Sequence, residues 1–313
     1  MSATEQTRRL TVSDIGRMYA DGERIPMLTA YDFPTARILD DSGIPMILVG
    51  DSLGQVALGY ESTVRVTMDE MLHHTRAVVR GTKHAFVIGD MPFLSYSTTE
   101  EAIENAGRFM RDAGAQAVKV EGGVRSARII EALVRSGVPV MGHIGWTPQS
   151  QHGLGGKVKV QGKSRDAARG LLADAVAVQE AGAFAIVLEL VPEQLSAVIT
   201  SRLRIPTIGI GAGPHCSGQV QVIPDMLGLG DFRPKHARAY ADLQGTIAEA
   251  TKAWMADVVA GSFPGPAETV RMDDAVLGEA LGRHADDQAP GSVSGAGSRS
   301  GAAPAMIPLD RDL

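Results

Sequence analysis

Seven residues that can bind ions, hold an anion or move a proton lie at or near the ends of short apolar runs in this chain. In chain order they are Asp51, Ser52, Asp90, Lys119, Glu121, His143 and Glu189. Carboxylate oxygens are ligands that hard divalent cations prefer, an amine can neutralise an anionic substrate, and a desolvated acid can accept a proton near neutral pH. Brought together, these side chains predict an enzyme that acts on a small anionic molecule.

The apolar runs themselves indicate the fold that positions these residues. Eight runs alternate with longer segments of helical character, and they occupy 27–32, 46–51, 85–90, 116–121, 138–145, 185–190, 205–213 and 218–225. This alternation is typical of parallel β–α units, and eight of them favour a closed (β/α)8 TIM barrel of the α/β class over an open sheet. Active sites of such barrels lie at the C-terminal ends of the strands, where the seven residues fall.

The segment VKVE at 118–121 carries two of the charged residues, Lys119 and Glu121. Side chains alternate along a strand, so these two share one face, and the two valines between them face the surrounding helices. The charged pair is therefore expected inside the barrel. Two interpretations remain open, because the pair either serves a substrate and a cation or forms a buried salt bridge.

Asp51 and Asp90 each end an apolar run, where an acid often caps the helix that follows. The segments SLGQVALGY and MPFLSY come directly after them. Their glycines and proline favour loops over helix starts. We therefore favour a functional role for both acids, with the capping role as the alternative.

Glu189 stands in the apolar segment IVLEL, and His143 stands near the end of the fifth run. An acid in so apolar a strand is either paired or has its pKa raised by desolvation, and a raised pKa suits a general base. His143 is either a substrate contact or a hydrogen-bonded structural residue.

The candidate ligands indicate which metal the site would take. Three carboxylates, without cysteine and with few suitably placed histidines, form an all-oxygen set that suits a hard cation. Mg²⁺ fits best, because it retains water and leaves positions open for substrate oxygens. Zinc would normally recruit histidine or cysteine ligands, which the sequence does not offer at the required places.

Composition excludes several classes of protein. The formal net charge of −6 comes from 36 acids and 30 bases spread along 313 residues, so we expect no nucleic-acid partner and no membrane-surface partner. The single cysteine, Cys216, rules out an internal disulfide. No signal sequence or membrane-spanning run is found, and a cytoplasmic location is expected.

The chain divides into four predicted regions. Residues 1–9 are expected to be a flexible N-terminus, and 10–267 a single catalytic barrel whose bottom is covered by an amphipathic segment from Val12 to Tyr19. One more helix is possible at 268–283. Residues 284–313 are rich in Gly, Ser, Ala and Pro, which cannot bury enough apolar surface to offset their ordering entropy, so a disordered tail is expected.

Eight blocks of sequence give the chain a resemblance to a known family. TAYDFPTA, LVGDSLG, GDMPF, VKVEGG, GHIGWTPQS, KVQGK, LELVP and IGIGAG occur in the order found in the ketopantoate (3-methyl-2-oxobutanoate) hydroxymethyltransferase family, over roughly Leu10 to Gly265. The resemblance implies a barrel of the phosphoenolpyruvate mutase and isocitrate lyase superfamily, a homodecamer, and a divalent metal. It also implies the first committed step of pantothenate synthesis, in which methylene-tetrahydrofolate donates a hydroxymethyl group to alpha-ketoisovalerate.

The resemblance also implies roles for individual residues. Asp51, Asp90 and Glu121 would hold Mg²⁺, directly or through water. Ser52 and Lys119 would bind the 2-oxo acid, with Asp51 and Asp90 also near it, and Glu189 would be the proton acceptor. His143 stands in a matching block and would contact the substrate. The segment PHCSGQVQV departs from the family in having Ser217 where Asp is frequent.

Two other functions compete with this one. A carbon–carbon lyase of the same superfamily would use similar magnesium chemistry, but such lyases usually carry a catalytic cysteine after the fourth strand, and Cys216 lies far from there. A non-enzymatic structural protein would have to explain why acids and a lysine converge on one end of a barrel.

Overall fold

A closed barrel of eight parallel strands forms the centre of the protein. The computed structural model describes residues 8–230 and 234–282. The strands are β1 Ile25–Thr29, β2 Met46–Val49, β3 Phe86–Asp90, β4 Ala117–Glu121, β5 Val140–Gly145, β6 Ala185–Glu189, β7 Thr207–Ile210 and β8 Gly218–Gln221. Each strand pairs with the next, and β8 pairs with β1. The predicted (β/α)8 barrel is thus confirmed.

The described residues also form α-helices before β1, between consecutive strands and after β8. They are α1 Val12–Ala20, α2 Phe33–Asp41, α3 Leu53–Val56, α4 Met68–Gly81, α5 Thr99–Gly107, α6 Ala127–Arg135, α7 Arg165–Glu180, α8 Glu193–Arg202, α9 Ile223–Leu227, α10 Leu243–Ala260 and α11 Asp274–Ala280. Short 3₁₀ turns occur at Thr63–Arg65, Val124–Ser126, Pro148–Ser150 and Pro266–Glu268, and a π-helical turn extends α5 at Arg108–Asp112. Within these described ranges, no helix is both long enough and apolar enough to cross a bilayer.

Local capping fixes where the helices begin. The Thr67 hydroxyl accepts the N–H of Glu70, and the Glu70 carboxylate accepts the N–H of Thr67, a reciprocal box that starts α4. At α5 the Thr98 hydroxyl accepts the N–H of Glu101, but the Glu101 carboxylate accepts from Ser97. The predicted helix start is present in both places, and only the first has the complete box.

Two apolar cores result from the alternation of side chains along the strands. Outward residues such as Val118 and Val120 pack against the helices. Inward residues fill the lower barrel, and they are Ile25, Met27, Met46, Leu48, Phe86, Ile88, Ala117, Met141, Ala185, Val187, Ile208 and Val220. Ile15 of α1 joins this inner cluster, so the predicted cover of the barrel bottom is confirmed.

The chain divides into two compact units, Met1–Glu249 and Ala250–Leu313, with the division inside α10. The first unit contains the whole barrel. In the second, the rings of Trp254 and Phe263 meet edge to face at 6.4 Å. Helix α11 lies within 268–283, where the sequence allows one more helix. Nearly all of the predicted flexible N-terminus and all of the predicted tail at 284–313 lie outside the described residues.

Asp40 near the end of α2 fixes the entry into β3. Its buried carboxylate accepts the main-chain N–H groups of Lys83, His84 and Ala85 at 2.8, 3.0 and 2.7 Å. Three otherwise unpaired donors are thereby satisfied by one side chain.

We expect Asp40→Ala to lower the free energy of unfolding by about 2 kcal/mol, because buried N–H groups would lose their acceptor. The measurement is a urea unfolding curve at fixed protein concentration. Asp41→Ala is the matched control, because Asp41 is exposed. Its ion pair with Arg37, at 3.8 Å, lies at the surface, where such pairs contribute little to stability. Equal effects of the two substitutions would contradict this account of Asp40.

Candidate active site

Five neighbouring strands, β2 to β6, deliver the predicted site residues to one end of the barrel. Asp90, Glu121 and Glu189 are the last residues of β3, β4 and β6. The register pairs Asp90 with Lys119, and Glu121 with His143. The mouth cluster, as we call it, consists of Asp51, Asp90, Lys119, Glu121, His143 and Glu189.

The mouth cluster lies directly above the apolar interior because the strand period is two residues. On β3 the inward series is Phe86, Ile88 and Asp90. On β4 the inward residue Ala117 is followed by Lys119 and then Glu121. Each strand therefore changes from apolar to charged along one face, and the change occurs at the same height in the barrel.

Lys119 provides the cationic contact among these acids. Its Nζ lies 2.8 Å from Asp90 Oδ1 and 3.6 Å from Glu121 Oε1, and its side chain is 4% exposed. Burial alone would lower the pKa of Lys119, but the charges of Asp90, Glu121 and Asp51 together raise it above the ordinary value. The buried salt bridge considered from the sequence is present, and it includes Asp90 as well as Glu121.

Asp51 and Ser52 follow β2 and start a short helix, which corrects the expectation of a loop. Helix α3 begins at Leu53, yet no side-chain bond from Ser52 caps it. The main-chain N–H of Asp51 donates to Asp90 Oδ2 at 3.0 Å, and Ser52 Oγ lies 2.9 Å from the hydroxyl of Tyr31. The Asp51 carboxylate accepts from Gln149 Nε2 at 2.8 Å, so neither side chain caps the helix that it precedes.

The carboxylates of the mouth cluster carry more negative charge than Lys119 neutralises. Burial, followed by the charges of Asp90 and Glu121, raises the pKa of Asp51 well above its ordinary value. Burial also raises the pKa of Asp90, despite Lys119. The pKa of Glu121 is lowered, because Lys119 and His143 outweigh the opposing effect of burial. A further cation would remove the cost of ionising Asp51 and Asp90.

His143 links the buried acids to Glu189. Its Nδ1 lies 3.1 Å from Lys119 Nζ and 3.4 Å from Glu121 Oε1, and its Nε2 lies 3.2 Å from Glu189 Oε2. Burial and Lys119 lower its pKa, but the two carboxylates outweigh them and raise the pKa to about 9. Glu189, which is 17% exposed, is thus paired with a buried histidine.

The donor set fits a hard cation, although the ligands do not converge as a complete cage. Among the described residues, no three His, Cys, Asp or Glu side chains are arranged to hold a metal ion. Asp90 Oδ1 and Glu121 Oε1 are nevertheless buried oxygens whose contacts are ionic: Lys119 Nζ lies 2.8 Å from the first, and Lys119 Nζ and His143 Nδ1 lie 3.6 and 3.4 Å from the second. Such oxygens suit Mg²⁺, which is commonly held by one or two carboxylates and completes its shell with water and substrate.

A cavity of about 200 Å³ opens beside the mouth cluster. Glu121 and Gln149 line its inner end, and Tyr96, Phe93 and Arg125 line its sides. Its size suits a small organic acid, and its walls combine aromatic rings with one cationic side chain.

Sequence reasoning missed Gln149 and Tyr96 as parts of this site. Gln149 is buried in the turn after β5, its Nε2 donates to Asp51 Oδ2 at 2.8 Å, and Tyr96 donates to its Oε1 at 2.5 Å. A neutral amide gives no charge signal in a sequence. The nearest signal was the proline of the TPQS segment directly after a strand, which marks a turn at the barrel mouth.

Comparison with known proteins identifies relatives over most of the chain. The model of the family Ketopantoate hydroxymethyltransferase matches residues 9–266. A 3-methyl-2-oxobutanoate hydroxymethyltransferase of Chloroflexus aurantiacus is 62% identical over 282 residues, covering 90% of this chain and 99% of that protein. One of Dehalococcoides mccartyi is 57% identical over 273 residues, covering 87% and 96%.

Solved structures with the same fold are more distant in sequence. Phosphonopyruvate hydrolase in complex with oxalate and Mg²⁺ superposes with a TM-score of 0.54 at 13% identity, covering 88% of this chain and 96% of that one. A 2,3-dimethylmalate lyase of the PEP mutase/isocitrate lyase superfamily gives 0.54 at 14% identity, covering 87% and 95%. These likenesses confirm the predicted barrel fold.

We expect Asp51→Asn to raise the Tm of the chelator-treated protein near neutral pH. A folded-state pKa above the unfolded value means that ionising Asp51 costs folding free energy, and this cost grows as the pH rises toward the raised pKa. Asparagine retains an acceptor for Gln149 and removes the charge. The gain in Tm should be smaller at about pH 5, where the cost is smaller.

The control for this substitution is Asp21→Asn, at an exposed position after α1. It should leave Tm almost unchanged at both pH values. A lower Tm for Asp51→Asn, or an equal gain at both pH values, would show that Asp51 is not under the predicted electrostatic strain.

Proposed function

Because the chain belongs to the ketopantoate hydroxymethyltransferase family, we propose that it transfers a hydroxymethyl group from methylene-tetrahydrofolate to alpha-ketoisovalerate, forming ketopantoate. The enzyme class, a hydroxymethyltransferase, follows from the shared name of its close relatives, and it implies a role in pantothenate biosynthesis. Beyond this class, we propose the folate as the one-carbon donor, a divalent metal, a glutamate base, and a place as the first committed step of pantothenate biosynthesis.

One observation carries the chemical part of this proposal. A buried ammonium, that of Lys119, lies within 2.8 Å of Asp90 and 3.6 Å of Glu121 at the mouth of a barrel, next to a cavity of about 200 Å³. Buried acids in excess over their cation are costly for stability alone. This cost in folding stability is explained if the buried acids serve to bind a divalent cation and, with it, an anionic substrate.

We assign Mg²⁺ or another hard divalent ion to Asp51, Asp90 and Glu121, bound directly or through water. The buried oxygens Asp90 Oδ1 and Glu121 Oε1, whose contacts are ionic, support this assignment. When bound, the ion acts as a Lewis acid that stabilises negative charge developing on the keto oxygen of the substrate.

Lys119, Ser52 and His143 hold the substrate in this scheme, with Asp51 and Asp90 beside it. The Lys119 ammonium neutralises the substrate carboxylate and fixes its position, which lowers the entropic part of the barrier. The Ser52 hydroxyl, placed 2.9 Å from the hydroxyl of Tyr31, supplies a hydrogen bond from the end of β2. His143 faces both Lys119 and Glu189, so it contacts the substrate between its anionic end and its reacting carbon.

Glu189 is the proton acceptor of the proposed reaction. Its carboxylate removes the proton from C3 of alpha-ketoisovalerate, and the electron pair of that C–H bond passes into the enolate. Water cleaves both C–N bonds of the one-carbon unit, which leaves tetrahydrofolate and releases the unit as formaldehyde. The enolate carbon then forms its bond to the formaldehyde carbon, and the former carbonyl oxygen takes up a proton and becomes the hydroxyl group. Partial exposure of Glu189, at 17%, leaves the side chain accessible to a substrate entering from the barrel mouth.

We further propose that the enzyme works in the cytoplasm as a homo-oligomer, a decamer as in its family. Helix α10 supports an assembly, because none of its residues is buried within the described part of the chain. It displays large apolar side chains, among them Trp254 at 54% and Val259 at 87% exposure. Such an apolar surface is typical of a face that another chain covers.

We expect Glu189→Gln to slow exchange of the C3 hydrogen of alpha-ketoisovalerate by at least about 100-fold, the usual contribution of a general base. The exchange is followed by NMR in heavy water with Mg²⁺ present and folate absent. Glu193→Gln is the matched control, since Glu193 starts α8 and pairs at the surface with His215.

Unchanged exchange in Glu189→Gln would remove Glu189 from the role of base. No exchange in the wild type, even after tetrahydrofolate is added, would overturn the proposed reaction itself. Chelation of the metal should abolish exchange in the wild type, since charge on the keto oxygen would lose its stabilisation.

Light scattering of the purified protein tests the proposed assembly. We expect a mass near ten times that of the 32.9 kDa chain. Trp254→Glu should reduce the assembled fraction, because a buried charge without a partner opposes association. A wild-type mass of a single chain would contradict the proposal.

A further inference from the structure

Gln149 occupies a central place among the loops at the barrel mouth. It lies in the 3₁₀ turn Pro148–Ser150 after β5 and is 4% exposed. Its Nε2 donates to Asp51 Oδ2 at 2.8 Å and to the carbonyl of Met91 at 2.9 Å, and its main-chain N–H donates to Glu121 Oε2 at 3.1 Å. One residue therefore connects segments that follow or end β2, β3, β4 and β5.

The chemistry of an amide suits this position. Both Nε2 hydrogens are used, one on a carboxylate and one on a carbonyl, so the side chain fixes Asp51 without adding charge. A lysine or arginine would neutralise the acids that are available for a cation. A glutamate of the same shape could not donate both bonds when ionised and would add a fifth acid to the mouth cluster.

Gln149 also determines which carboxylate oxygens remain for another ligand. It uses Asp51 Oδ2 and Glu121 Oε2, and Glu121 Oε1 is left as a buried oxygen without a hydrogen bond. The orientation of both carboxylates is thus set from a single point. Outer groups that orient carboxylate ligands in this way typically contribute about 10–100-fold to metal affinity or activity.

Tyr96 holds the amide of Gln149 in one orientation. Its hydroxyl donates to Gln149 Oε1 at 2.5 Å, which prevents the amide from exchanging its oxygen and nitrogen. Burial, followed by the charge of Glu121, raises the pKa of Tyr96, so the hydroxyl remains a donor at neutral pH.

We propose that Gln149, held in place by Tyr96, is a positioning residue that orients Asp51 and Glu121 toward the divalent cation of this enzyme. The inference rests on the proposed function for the identity of the cation-binding site. Neither residue touches reacting atoms in this role, and both act through the carboxylates that they orient.

The test measures the affinity of the full-length protein for Mn²⁺, a paramagnetic hard cation, by EPR without either substrate. We expect Gln149→Leu to weaken binding by about 10-fold or more. Exchange of the C3 hydrogen should fall in parallel at low Mn²⁺ and recover in part at saturating Mn²⁺, a dependence that a general loss of structure would not give.

Two further variants complete the test. Tyr96→Phe keeps the amide but frees its orientation, so a loss of about 3-fold or more in Mn²⁺ affinity is expected in a protein that still folds. Gln151→Leu is the matched control, since Gln151 lies in the same loop and donates to Ser62 outside the mouth cluster. It should bind Mn²⁺ like the wild type.

Wild-type affinity in Gln149→Leu would overturn the proposal. If that variant does not fold, wild-type affinity in Tyr96→Phe overturns it instead. The two proposals can fail separately. If Gln149→Leu weakens Mn²⁺ binding but the wild type exchanges no C3 hydrogen, the positioning role is supported and the proposed reaction is overturned.

Discussion

The charge balance around Lys119 is the constraint on which the site depends. Three carboxylates and one ammonium are removed from water at the barrel mouth, and each ion loses hydration energy of several kcal/mol that only close partners can restore. Lys119 contacts Asp90 and Glu121, but Asp51 and Asp90 still have raised pKa values. The arrangement is therefore electrostatically incomplete, as expected of a site that binds a cation.

The barrel produces this situation through strand register and alternation. Apolar side chains fill the lower interior and exclude water, so that charges placed above them interact in a medium of low dielectric constant. The pairing of Asp90 with Lys119 and of Glu121 with His143 determines which charges meet. A shift of one residue in either pairing would turn these side chains toward the helices. The backbone hydrogen bonds that form the barrel therefore also determine which of these side chains meet.

Local sequence signals were sufficient for some features and insufficient for others. The alternation of apolar runs predicted the barrel, and the parity of VKVE predicted that Lys119 and Glu121 point inward. The loop expected after Asp51 is helix α3, because a four-residue helix needs no apolar period of its own. Gln149 and Tyr96 carried no signal, since a neutral polar residue is recognisable as part of a site only from its contacts.

The sequence by itself determined the periodic features: the eight strands, the helix starts, the inward face of each strand and the types of chemistry available at the strand ends. These depend on residues near one another in the chain, where period and capping rules apply. Only the tertiary structure decided which strand ends meet. It pairs Lys119 with both Asp90 and Glu121 and brings His143 to Glu189. It also lets Gln149 connect four segments of the chain. Those contacts join residues up to 98 positions apart, and their distances follow from barrel closure rather than from any local pattern.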